Sequence, residues 1–307
     1  MTPPVAEPAK ADAKAVDDDA LAERYLELKA AFEADPKGFG GGGDGLAEIS
    51  RELRAMSNQA KSVPLQANAA ALLAAIHYER GGFADAVGAY RRATQLVPDD
   101  PDLRMALVRA LAKNGELSAA AEAQIRAVEL VPDDLEQHLI LGELRLRAGD
   151  KEGSTKAYAD YEVVRRSLID GLTLKRGDAY RVSAEERAAC ADYLSIAADV
   201  GTAFALLYAL ENEPEPKVRV AIVGAMGMHR FVGYKPRLTE RLAKETDPEV
   251  KEAITWALAE IARDPIDTRL DKPPEPDAAP PTPPKSGLET NPATPAKGAV
   301  SDRPAAG

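Results

Sequence analysis

Apolar residues recur along this chain at helical spacing. Leu21, Tyr25, Leu28 and Phe32 fall on one stripe, which predicts an amphipathic helix from Asp18 to Ala34. Ile49, Leu53 and Met56 mark a second helix, roughly Leu46 to Ala60, beyond a glycine-rich connector at residues 37–45. The pattern then becomes periodic. Leu96-Val97-Pro98-Asp99-Asp100 returns 34 residues on as Leu130-Val131-Pro132-Asp133-Asp134. Gly81, Gly115 and Gly149 keep that step, as do Ala86, Ala120 and Ser154, and Leu73, Leu107 and Leu141. A fixed period of this size predicts stacked helical hairpins, each covering the apolar face of its neighbour. Asp100 followed by Pro101 is a helix start, a cap and then a first-turn proline.

A different period takes over near residue 180. Arg187, Arg219 and Lys251 are 32 apart, and so are Ala189, Ala221 and Ala253. Val218, Ile222, Ala225 and Met226 form one helical stripe; Val250, Ile254, Ala257, Leu258 and Ile261 form the next. Ser183 with Glu186 makes a capping box for the earliest copy. Helices over residues 201–210 and 236–244 would complete the pairs. The expected fold class is therefore all-α, an α-solenoid. Its parts are a disordered arm over 1–17, a helical hairpin over 18–66 that also reads as a degenerate first copy of the 34-residue repeat (Pro64 lies 34 residues before Pro98), 34-residue repeats over 67–164 and 32-residue repeats over 165–264. A disordered Pro/Ala-rich tail would occupy 265–307, where few large apolar residues are available to offset the entropy of ordering.

The first periodic block resembles the tetratricopeptide repeat. The pattern is carried by Leu73, Ala74, Ala86, Tyr90, Ala93 and Pro98, then by Leu107, Ala120, Ala127 and Pro132, then by Leu141, Gly142, Ser154 and Tyr158. The tryptophan of that motif is filled by no tryptophan here, and Arg166 stands where a third proline would fall. The second block resembles HEAT repeats through Glu215-Pro216-Lys217-Val218-Arg219 and Asp247-Pro248-Glu249-Val250-Lys251. The tetratricopeptide resemblance implies a concave wall lined by the first helix of each pair. By register, that wall should carry Tyr78, Met105, Arg109, Lys113, Glu143 and Arg147, a mixture of aromatic, thioether and charge suited to a peptide. A subfamily that clamps C-terminal carboxylates uses Lys, Asn and Arg, but Ala71, Ala75, Ala106, Glu136 and Ile140 occupy the matching positions. Chaperone recruitment of that kind is not expected.

Composition narrows the partners. The net charge is −11 and the pI about 5.0, which disfavours nucleic acid and anionic membrane surfaces. No run approaches the ~18 apolar residues of a membrane span. The N-terminal residues have neither a charged n-region nor an apolar h-region, so a cytoplasmic location is expected; a mature secreted form stays open. The one cysteine, Cys190, shares the register of Ile222 and Ile254, a core slot. His77, His138 and His229 lie in separate repeats without ligand spacing. The glycine stretch follows a helix and lacks a closing Gly-Lys-Ser/Thr, so it reads as a connector rather than a phosphate cradle. Residues 280–285 read as a proline-rich spacer. Arg187, Arg219 and Lys251 are expected to form ion pairs with neighbouring acids, Glu185, Glu186, Glu249 and Glu252 among them.

The function expected is a non-catalytic scaffold or adaptor that holds a protein or peptide, with no cofactor and no metal. The alternatives are a HEAT-repeat enzyme or accessory, similar to bilin lyases or DNA glycosylases, or a structural part of a larger assembly. A glycosylase would need a basic, aromatic-bearing cleft, which the acidic balance disfavours.

Overall fold

The computed structural model describes residues 17–41, 43–268 and 270. The N-terminal arm other than Asp17, and the tail beyond Leu270 with its proline-rich spacer, lie outside the described residues. Thirteen α-helices are present among those described, and they divide into two units. The first holds α1 (Asp18–Ala34), α2 (Asp44–Gln59), α3 (Val63–Glu79), α4 (Phe83–Leu96) and α5 (Pro101–Lys113). The second holds α6 (Leu117–Leu130), α7 (Leu135–Arg147), α8 (Lys151–Thr173), α9 (Ala184–Leu194), α10 (Val200–Asn212), α11 (Pro216–His229), α12 (Lys235–Lys244) and α13 (Pro248–Arg263).

Capping sets the helix starts. Asp100 accepts the Leu103 N–H at 3.0 Å, Asp134 the Glu136 N–H at 2.9 Å and Asp150 the Gly153 N–H at 2.9 Å. The 34-residue glycines set the hairpin turns. Gly81, Gly115 and Gly149 have φ of 75°, 84° and 88°, a left-handed conformation that a side chain would strain. In the first unit Leu28, Phe32, Leu53, Met56, Leu72 and Ile76 share one core. Phe32 and Phe39 meet edge to face at 5.7 Å. The glycine connector is tied down by Arg80, whose guanidinium donates to the carbonyls of Phe39 and Gly41.

In the second unit, one core runs from Leu135 and Leu139 through Tyr161, Leu168 and Leu172 to Ile222, Ile254 and Ile261. The 34-residue and 32-residue patterns therefore meet in continuous packing. α8 is the reason: it runs for 23 residues, through the point at 164/165 where the periods change, because Arg166 does not end it as a proline would. Gln124 occupies the slot that repeats one and three fill with Tyr90 and Tyr158. Its buried amide nitrogen donates to the Gln137 carbonyl and side-chain oxygen, both at 2.9 Å, while its own oxygen Oε1 has no partner.

Two features did not show in the pattern. Lys175–Arg176 and Ala179–Tyr180 pair as a two-stranded antiparallel hairpin, β1 and β2, turning at Gly177 with φ 66°. Residues 265–268, assigned by composition to the tail, instead pack back on the second unit. Ile266 forms a parallel bridge with Phe231, donating its N–H to the Arg230 carbonyl at 2.9 Å and accepting from Val232 at 3.0 Å.

The expected ladder of basic residues is present with other partners. Arg187 grips Glu213 through two bonds of 2.8 Å, and Arg219 grips Glu245 through two of 3.0 Å. Both pairs are buried and span 26 residues. Each arginine at the start of one repeat thus fastens a glutamate that leads into the next. Lys251, the third member of the register, is exposed. Cys190 is half-buried against the core beside Gly171, and burial raises its thiol pKa.

Candidate interaction face

Six side chains were expected on the wall formed by first helices. In the first unit, Met105, Arg109 and Lys113 follow one another at four-residue spacing on α5 and so share a face. Met105 and Arg109 are half-buried, and Lys113 is exposed. Tyr78, on α3, is 9% exposed, with its ring edge-on to Phe83 at 5.4 Å. Burial raises its phenol pKa, while the positive charge of Arg109 opposes the rise. Tyr90 feels the same two influences. Arg109 is thus electrically coupled to both phenols and also acts on Asp102. Tyr78 is largely covered and offers less open surface than its register implied.

In the second unit, Glu143 and Arg147 form an (i, i+4) ion pair of 3.4 Å on α7. Glu143 also raises the pKa of Tyr158, after the larger effect of burial. Tyr158 lies against Gly142, where an added Cβ would come within 2.6 Å of its ring. The small residue lets α7 and α8 approach closely.

The histidines are structural where their contacts are visible. His138 Nε2 lies 2.8 Å from the Pro132 carbonyl. His229 Nε2 donates to the Leu194 carbonyl at 3.0 Å, which leaves Nδ1 to accept from the Tyr234 hydroxyl at 2.9 Å. Among the described residues no group of three or more His, Cys, Asp or Glu could hold a metal ion. No described helix is long and apolar enough to cross a membrane. A cavity of about 610 Å³ in the second unit is lined by Phe204, Leu207, Tyr208, Arg237, Thr268 and Leu270, among others. It was not foreseen, because part of its wall comes from the residues assigned to the tail.

Comparison with known families agrees with the repeat architecture. Residues 51–102, 72–134 and 105–167 match the tetratricopeptide repeat. Residues 203–275 match HEAT repeats. The chain carries tetratricopeptide repeats followed by HEAT repeats. The tetratricopeptide matches begin within α2 and extend into α8, and the HEAT match covers α10 to α13. Families built from these repeats are generally non-catalytic scaffolds for protein interaction. No curated protein matches the chain.

Proposed function

We propose that this chain is a non-catalytic adaptor that takes a peptide or a partner helix on the first-helix faces of its tetratricopeptide repeats. The observation that carries the proposal is the α5 face. A flexible thioether, a half-buried guanidinium whose charge is felt by two tyrosines and an exposed ammonium stand in one row on one helix. Repeats supply area, and affinity comes from a few such anchors. Arg109 and Lys113 suit acidic side chains on the partner; the Glu143–Arg147 pair on α7 offers both signs.

Changing Arg109 and Lys113 together to Glu tests the assignment. Both lie outside the buried core, so helical content by circular dichroism should not change. Recovery of the native partner in a pull-down should fall by at least about tenfold, the loss of one charged anchor. Undiminished recovery would remove the α5 face from the proposal.

A further inference from the structure

The first unit also holds a cleft lined by none of Met105, Arg109 and Lys113. α2, α3 and α4 enclose a cleft of about 340 Å³. Among the described residues, four buried side-chain atoms lack a hydrogen-bond partner, and three of them belong to residues lining this cleft: Ser57 Oγ, His77 Nε2 and Arg92 Nε. Ser57 is 4% exposed. Buried polar groups are nearly always paired, and each orphan costs on the order of 1–3 kcal/mol, so three in one cleft call for an occupant. Arg54 stands exposed at the edge and Asp85 lines the opposite helix. Small residues of α3 and α4, Ala70 and Gly88 among them, leave the interior open.

The charges choose the occupant. Arg54 and Arg92 against Asp85 leave one net positive charge. Burial lowers the His77 pKa, opposed by Asp85 and helped by Arg54, which favours the neutral ring. Arg92 is held in place as its Nη2 donates to the Ser57 carbonyl at 3.5 Å, which leaves Nε available. Ser57 and Arg92 supply donors, and a neutral imidazole supplies either a donor or an acceptor. Such a set matches a single carboxylate, while a phosphate dianion would leave excess negative charge beside Asp85. The volume is at the small end of the range for small-molecule sites, roughly 300–1,000 Å³.

We propose that the cleft between α2, α3 and α4 is a binding site for a small carboxylic acid, its carboxylate held by Arg92, Ser57 and His77 with Arg54 at the mouth. Isothermal titration of the full chain at constant ionic strength tests it, with acetate, succinate, glutamate and inorganic phosphate as probes. At least one carboxylate should bind saturably, with Kd about 1 mM or tighter. Arg54→Gln, at an exposed position, should weaken that binding at least tenfold. Gly88→Leu should abolish it: a Cβ at Gly88 meets nothing within 4 Å, so the helix tolerates a side chain that blocks the cleft. The His77 ring resonance should move on titration and stay fixed in Gly88→Leu. Three results would overturn the proposal: no saturable binding by any carboxylate up to about 10 mM, as for a cleft filled only by water; binding unaffected by both variants; or preference for phosphate over every carboxylate.

Discussion

The two buried arginine–glutamate pairs make a prediction that separates them. Arg187→Met would leave the Glu213 carboxylate buried without the guanidinium that pairs it, with the Glu215 N–H at 3.0 Å as its remaining bond. Breaking one side of a buried pair costs about 3–5 kcal/mol. The variant also loses the contact of the guanidinium with the Tyr180 ring, 4.0 Å from its centroid, worth roughly 1 kcal/mol. Arg219→Met removes an equivalent bidentate contact, but Glu245 keeps Arg241 at 2.8 Å and the N–H groups of Thr246 at 2.9 Å and Asp247 at 3.1 Å. Burial pushes the Glu245 carboxyl up, yet those bonds together with Arg219 hold it at about 2. The cost of Arg219→Met should therefore be smaller, about 2–3 kcal/mol. Urea unfolding followed at 222 nm measures both. Adding Glu213→Leu to Arg187→Met should recover part of the loss, since no charge is then stranded. An Arg219→Met cost equal to or above that of Arg187→Met would refute the reasoning, as would a double variant less stable than the single.

Gly142→Ala should destabilise by about 1–2 kcal/mol despite the better helix propensity of alanine, because its Cβ would press on Tyr158 at 2.6 Å. Gly224→Ala in α11 meets nothing within 4 Å and should instead gain about 0.5–1 kcal/mol; the two midpoints in urea, shifting in opposite directions, check the pair. His229 sets a pH dependence. Burial lowers its pKa from 6.5 to about 4, so the unfolded chain takes up its proton before the native state does. Its contribution is intact above pH 6.5, declines as pH falls toward 4 and is then constant, a loss of about 3 kcal/mol in all. His229→Gln should flatten the stability profile between pH 7 and pH 5 relative to the parent, and equal slopes would show that this histidine is not the source.

Much of this architecture was legible because the elements are long, capped and periodic. The stripe of Leu21, Tyr25, Leu28 and Phe32 placed α1 at its observed bounds. The stripe of Val250, Ile254, Ala257 and Ile261 is buried as expected. What escaped the pattern depends on contacts between elements. The β1–β2 hairpin is too short to set a period. Ile266 is ordered by backbone pairing with Phe231, which composition does not encode. The partners of Arg187 and Arg219 lie a repeat away, so neighbouring acids such as Glu186 and Glu249 were the wrong places to look. Tyr78 sits at the predicted register, yet Phe83 covers it. The orphaned atoms of Ser57, His77 and Arg92 carry no sequence signal at all, because an unmade hydrogen bond exists only once three helices have packed.

The central claim, that the chain binds a partner through the first-helix face of its tetratricopeptide repeats, is tested most directly by site-specific photo-cross-linking in native cells. A photoreactive residue at Lys113 on α5 should yield a discrete adduct that excess unmodified chain competes away, while one at the exposed Gln95 on α4 should yield none. Equal capture from both positions, or from neither, would contradict the account.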